Sequence, residues 1–219
     1  MKTKNLRSFA LFLMISMISF GEISAQATLQ EAEKELKERA SKDAKKEVKK
    51  WTKEGYTNMP GQLPLEKQYD RYFQFTLLMD EKMIPKYISS TGTAVASVED
   101  VAIANSLDNA RLNLAGQISA QVANLIENNK GNSQLSTKDA ESISKFISNS
   151  KTLVQNELGT VQPMVTMRRL LKDDKIEVRM EVAYSMDNAK IMAKKLIHKE
   201  LQDEINQNEQ ELNKILGIQ

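Results

Sequence analysis

The sequence predicts an α+β fold in which a small antiparallel sheet of three to four strands packs against a long central helix and a C-terminal helix. Two patterns carry this prediction. Residues 97–128 hold one apolar stripe at helical spacing over about eight turns. Residues 161–184 instead alternate apolar and charged side chains around a short polar turn, which is typical of a hairpin. A charged N-terminal helix is expected to lie partly detached from this domain.

The first 25 residues have the three-part layout of a secretory signal peptide. Three basic residues precede the apolar run 9–20, and the small residues Ser24 and Ala25 follow it. A membrane anchor is the alternative, but a spanning helix needs about 20 apolar residues and this run is shorter. We therefore expect cleavage after Ala25, with Ala27 as the alternative site, and export to the periplasm, the outer membrane surface or the medium.

The exported chain is expected to be neutral. The whole chain has 31 Lys and Arg against 29 Asp and Glu; the leader removes three basic residues and one acidic residue, which leaves 28 of each. Proteins that bind nucleic acid usually carry a basic excess, so nucleic acid is not an expected partner. The chain has no cysteine, so disulfides and lipid-modified cysteines are excluded. No later segment is long and apolar enough to span a bilayer, and the mature chain is expected to lack an integral membrane segment.

Residues 26–54 predict a helix rich in Glu, Lys and Ala with a thin apolar stripe. We expect it to be solvated and stabilised by opposite charges four residues apart, such as Glu33 with Lys37. A partner-binding helix is the alternative. Trp51, the only tryptophan, is expected to anchor the helix to the domain.

The next segment is expected to form a loop, a helix and a strand. Turn formers over 55–64 predict the loop, and Pro64 suits the first position of a helix. Residues 72–79 fit a strand as well as a helix, so both interpretations remain open at this point. Residues 86–96 are typical of a strand, in which Gly92 indicates a bulge or a close backbone approach.

Apolar residues that recur at steps of three and four predict the central helix. They are Ile103, Leu107, Ala110, Leu114, Ile118, Val122 and Leu125. Gly116 inside a helix costs about 1 kcal/mol relative to alanine, so we expect it to permit a close approach. Arg111 flanks the stripe. We favour a buried Arg111 side chain in a structural ion pair over a solvated one.

The remaining elements are a shorter helix, a hairpin and a final helix. The hairpin is expected to have one solvated face, with cross-strand pairs between Arg168 or Arg169 and Glu177 or Glu181. Its two strands and the helices around it complete the α+β domain, predicted over 55–206. The polar helix end over 207–219 is expected to project from the domain or to pair with the N-terminal helix.

Groups that carry catalysis are scarce in the sequence. His198 is the only histidine and is expected to be exposed on a Lys- and Glu-rich helix. Asp173 and Asp174 fit the turn of the hairpin, where aspartate bonds its own backbone. We therefore predict no enzyme activity, no cofactor and no catalytic or metal-binding residue.

The run PKYISSTGTAVASVEDVAIANSLDNARLNLAGQISAQVANLIENN, from Pro85, resembles the Lpp-twenty family of small bacterial outer-membrane lipoproteins, which shares a fold with the N-terminal domain of flagellar assembly protein T. A strand bearing a glycine leads into a helix whose motif includes Ala110, Arg111, Leu114 and Ile118. The later run IEVRMEVAYSMDNAKIMAKKLI fits the same order of elements. The mature chain is also similar to uncharacterised exported proteins of Bacteroides-like bacteria.

This resemblance implies a non-enzymatic role in the cell envelope, and it assigns no catalytic residue to this chain. The chain differs from the lipoproteins in lacking their acylated cysteine. We accordingly expect an exported, non-catalytic protein that acts through contacts with an unidentified envelope protein. The alternative is a periplasmic binding module for a small ligand or glycan. It would need a concave pocket lined by Trp51, Tyr69, Tyr72 and Phe73. An enzyme would need carboxylates that converge near His198.

Overall fold

The computed structural model describes residues 31–81, 83–130, 137–201, 213 and 215–218. This part of the chain includes five helices and four strands, which confirms the predicted α+β class. The helices are α1 (31–53), α2 (Leu65–Thr76), α3 (Glu99–Lys130), α4 (Thr137–Glu157) and α5 (Met186–Leu201), and the strands are β1 (Thr57–Asn58), β2 (Tyr87–Ala96), β3 (Pro163–Leu170) and β4 (Ile176–Ser185). The predicted leader and its cleavage site lie outside the described residues.

The sheet is antiparallel and has the strand order β1, β3, β4, β2. Strands β3 and β4 form the predicted hairpin, with Arg169 opposite Glu177. Strand β2 pairs with β4 along its whole length, from Tyr87 opposite Ser185 to Ala96 opposite Ile176. The ten-residue β2 is therefore one edge of the sheet, and the two-residue β1 is the other.

Helix α3 covers one face of the sheet and lies directly on β2. A Cβ atom on Gly92 would overlap the Ser106 carbonyl oxygen and the Ala110 amide nitrogen, so the predicted close approach is confirmed. The fully buried line of the helix consists of residues four apart: Ala102, Ser106, Ala110, Leu114, Ile118, Val122 and Ile126. Small residues in its first half bring the two backbones together, and the predicted stripe members Ile103, Leu107 and Leu125 lie half-buried beside this line.

Gly116 and Arg111 of the central helix have surroundings that differ from the favoured predictions. A Cβ atom on Gly116 would have Lys151 Cε as its nearest neighbour at 3.7 Å, so no close approach requires this glycine. Arg111 does pair with Asp108, at 3.8 Å, but their side chains are 36% and 69% exposed. The pair lies on the surface because position 111 is turned about 100° from the buried Ala110.

Helices α4 and α5 pack against each other and against the far part of α3, with Phe146 and Ile197 fully buried between them. Ile215 and Leu216 are also fully buried in this cluster. The end of the chain therefore returns to the domain core, and the expectation that it projects or pairs with the N-terminal helix is wrong for these residues.

The opposite face of the sheet is covered by α1 and α2, so the predicted solvated face of the hairpin is wrong. This layer is built around a second buried cluster, made of Ala44, Trp51, Tyr56, Leu65, Tyr69, Val165 and Met167. Residues 31–39 of α1 are largely exposed, whereas Ala40 and Ala44 are fully buried. Helix α2 runs through Thr76, so residues 72–76 are helical and the strand alternative is wrong there.

Candidate functional sites

A cluster of charged and aromatic side chains fills the space between β4 and the helices α1 and α2. The Arg179 guanidinium lies 4.3 Å from the centre of the Trp51 ring, and its Nη2 lies 3.0 Å from Glu181 Oε1. The Thr91 hydroxyl donates to Glu181 Oε2. Only 8% of the Glu181 side chain is exposed, so this carboxylate is held by its neighbours rather than by water.

Burial shifts the protonation of this cluster toward neutral forms. Desolvation raises the pKa of Glu181, while the Thr91 hydrogen bond and the Arg179 charge oppose the rise. Desolvation also raises the pKa of the Tyr69 and Tyr72 hydroxyls. The buried Tyr69 hydroxyl has no hydrogen-bond partner among the described residues. The cluster therefore joins two layers of the fold, and its burial disfavours the ionised forms of Glu181, Tyr69 and Tyr72.

A second group of ionic contacts extends the cluster along the hairpin. Arg169 pairs with Glu177, which confirms one of the predicted cross-strand pairs, whereas Arg168 pairs with Glu99 at the start of α3. The Tyr56 hydroxyl donates to Glu177 Oε2 at 2.9 Å. The pKa of Tyr56 is raised to about 12, mainly by burial and to a smaller extent by this hydrogen bond.

The four aromatic residues predicted as a ligand or contact patch come together in one cluster. The ring centres of Tyr69, Tyr72 and Phe73 lie 5.4–6.2 Å apart. Trp51 belongs to the same cluster, and both Trp51 and Tyr69 are buried. Tyr72 also lines a groove between β2 and α3. A ligand role of the patch stays a prediction.

The groove has a volume of about 550 Å³ and lies between the edge strand β2 and the helix α3. Its walls include Tyr72, Ser89, Thr91, Asn113, Gln117 and Lys151. Asn113 Nδ2 donates to the Thr91 carbonyl at 2.8 Å, and Asn109 Nδ2 donates to the Thr93 carbonyl at 2.9 Å. The groove therefore offers hydroxyls, amides and one lysine beside apolar surface from Leu112 and Ala120. Two carbonyls of the β2 edge are already bonded.

An exposed apolar loop connects α2 to β2. We call residues 77–86 the methionine loop; residue 82 lies outside the described part of the chain. Met79 pairs with Pro85 in a β-bridge, and the Asp80 amide donates to the Ile84 carbonyl at 2.8 Å. Met83 has a φ of 61° and is 77% exposed. Hydrophobic periodicity did not reveal this site, because its apolar residues follow a turn rather than a helix or strand.

In the described part of the chain, no group of three or more His, Cys, Asp or Glu side chains is placed to hold a metal ion. The side chain of His198 is not among those described. No helix of the described ranges combines the length and hydropathy of a membrane span.

These features define an α+β domain with a closed ionic cluster, a polar groove and an exposed apolar loop. No protein-family model, curated protein or solved structure matches the chain. The resemblance to the Lpp-twenty family therefore stays a prediction.

Proposed function

We propose that this protein is a non-catalytic, exported protein of the cell envelope that acts by contacting another envelope protein through the methionine loop. The observation that carries the proposal is a loop with large apolar side chains in solvent. Met79 is 41% exposed and Met83 77% exposed, and Phe75 and Ile84 beside them are each more than a third exposed. Exposed apolar patches of this kind are typical of interaction sites.

The backbone of the methionine loop is held in place by several contacts. The Lys86 amide donates to the Leu78 carbonyl at 2.9 Å, and the Ile84 amide donates to Asp80 Oδ1 at 2.8 Å. At the ends of the loop, the Phe75 and Tyr87 rings meet with centres 5.2 Å apart. Backbone hydrogen bonds that already exist in the free protein reduce the conformational entropy lost on binding, and methionine adapts its shape to an apolar partner surface.

Site-specific photo-cross-linking tests this proposal, because the chain has no cysteine and a single introduced thiol can carry the cross-linker. The Met83→Cys variant should yield one stoichiometric adduct with an envelope protein in the native host. Ile191→Cys is the matched control, since Ile191 is an apolar residue on α5 that is 58% exposed. Recovery of only monomer from Met83→Cys, or the same adduct from both positions, would contradict the proposal.

A second variant tests whether the loop contributes binding energy. Met83→Asp should abolish co-purification of the partner with an unchanged melting temperature, because the side chain is in solvent in the free protein. Fractionation of the host tests export separately: recovery of the protein from the cytosol would contradict the envelope assignment.

The polar groove supports a second candidate function, a binding module for a small neutral saccharide. Tyr72 offers a ring for stacking, and Ser89, Thr91 and Gln117 offer hydroxyl and amide groups. Titration with envelope saccharides followed by NMR should then shift resonances of these residues, and Tyr72→Ala should remove the shifts. Unperturbed spectra at millimolar ligand would reject this candidate.

A further inference from the structure

Helix α1 carries an uneven distribution of charge. Residues 42–53 contain six lysines and two carboxylates, Asp43 and Glu47. At about 100° per residue, five of these lysines fall within an arc of about 100° on the side of the helix opposite Ala44 and Trp51. We call them the lysine face: Lys42, Lys45, Lys46, Lys49 and Lys53. All five are exposed.

The lysine face differs from the other lysines of α1 in its lack of ion-pair partners. Lys34 lies 4.0 Å from Glu38, Lys37 lies 3.8 Å from Glu33, and Lys50 lies 3.8 Å from Glu47. No ion pair is formed by the five lysines of the face within the described part of the chain. Like charges four residues apart destabilise a helix, so the face retains a repulsion that an anionic ligand would relieve.

The orientation of this face is fixed by the packing of α1. Ala44 and Trp51 belong to the second buried cluster, which fastens the helix to β3 and α2. Three lysines of the face, Lys45, Lys49 and Lys53, border a shallow groove of about 430 Å³ beside Glu66. The positive charges therefore lie on the exposed side of a helix whose other side is packed against the domain.

We propose that the lysine face binds the phosphate groups of an anionic phospholipid surface. Lysine is a point charge on a flexible stem and imposes no bidentate geometry, which suits a fluid plane of headgroups. Each lysine near such a surface adds a similar increment of attraction. The face has no aromatic ring on which a base could stack, since Trp51 is buried beneath the helix, and this disfavours single-stranded nucleic acid.

A second copy of the chain fits this face less well. The outward side of the first turns of α1 carries Glu31, Glu35 and Glu38, so two α1 helices could pair in antiparallel orientation. Such a contact would consist of exposed ion pairs without an apolar seam, and exposed ion pairs alone give little association energy.

Co-sedimentation with vesicles tests the proposal, with vesicles of phosphatidylglycerol and phosphatidylethanolamine compared with phosphatidylcholine alone. The purified protein should bind the anionic vesicles at low salt and lose binding as ionic strength rises. The triple variant Lys45→Gln, Lys49→Gln, Lys53→Gln should lower the partition coefficient on the order of 100-fold. The matched control Lys34→Gln, Lys37→Gln, Lys50→Gln removes the same charge from paired positions of the same helix and should lower it far less.

Several outcomes would overturn the proposal: no binding of the unaltered protein to anionic vesicles, or equal losses in the two triple variants. Tighter binding to a single-stranded oligonucleotide than to the vesicles would assign the face to nucleic acid instead. A dimer in analytical ultracentrifugation that only the Lys45, Lys49 and Lys53 substitutions dissociate would assign it to self-association. Circular dichroism establishes that both variants keep α1 folded. Met83→Asp should leave vesicle binding unchanged, so this test and that of the methionine loop can fail independently.

Discussion

Two glycines, Gly92 on β2 and Gly116 within α3, have opposite surroundings. Gly92 lies where the backbones of β2 and α3 meet, and even the Ala110 methyl would be only 2.8 Å from an added Cβ atom. A Cβ atom on Gly116 would make only an ordinary van der Waals contact, with Lys151 Cε at 3.7 Å. The sequence indicated the role of Gly92, since a glycine within a strand often marks a close approach. It misled at Gly116, because the cost of a helical glycine does not reveal what lies opposite it.

Alanine substitutions at these two glycines should therefore change stability in opposite directions. We expect Gly92→Ala to lower the free energy of unfolding by about 3 kcal/mol or more, since backbone atoms of α3 cannot move aside cheaply. Gly116→Ala should raise it by about 0.5–1 kcal/mol, because alanine orders the helix better and meets no clash. Urea unfolding monitored by circular dichroism measures both, and a neutral Gly92→Ala would refute the close packing of β2 on α3.

At the level of elements, β2 is an edge strand whose outer carbonyls are bonded by side chains of α3. Unpaired edges invite association with other strands, and proteins commonly block them. Here Asn109 and Asn113, one helical turn apart, bond the carbonyls of Thr93 and Thr91. The periodicity of α3 and of the hairpin was enough to predict these elements. It could not predict this contact, because the positions of exposed polar residues on a helix do not reveal which strand residues lie opposite them.

Removal of both amides should open this edge. The double variant Asn109→Ala, Asn113→Ala should lose about 1–3 kcal/mol of unfolding free energy, from two hydrogen bonds of about 0.5–1.5 kcal/mol each. It should also form oligomers at high concentration, measured by size-exclusion chromatography with light scattering. Asn105→Ala provides the control, since Asn105 is exposed on the same helix. A monomeric double variant with unchanged stability would show that the amides do not protect the edge.

On the scale of the whole molecule, the sheet separates two cores of different chemistry. The α3 side is aliphatic, whereas the α1 and α2 side combines aromatic rings with Arg179 and Glu181. Alternation in β4 predicted that its charged residues share one face, but it gave no information about what covers that face. Trp51 of α1 lies against Arg179 on that face, and a contact between residues so far apart in the chain leaves no trace in the periodicity of either segment.

The buried Glu181 should make stability depend on pH. Its folded-state pKa is raised above the ordinary value of 4.5, so the folded protein favours the protonated form. The protein therefore loses stability relative to Glu181→Gln as pH rises from about 4.5 through the raised pKa, and the difference is constant below that window. Urea unfolding over a pH series measures this difference. Glu127→Gln, an exposed change of equal charge, is the control, and parallel curves for the two variants would contradict the burial of Glu181.

The helical layer that covers the charged face has a consequence for the order of folding. The contacts of β2 with α3 join residues about 20 positions apart, such as Ser90 with Ala110. The bond from Tyr56 to Glu177 spans 121 positions, and that from Thr166 to Gln68 spans 98. Closing long chain segments is slow, so α1 and α2 should take their places on the sheet after β2 and α3 have paired. Until the hairpin has emerged, the nascent Trp51 and Tyr69 have nothing to cover them, and this is the interval in which a chaperone would recognise the chain.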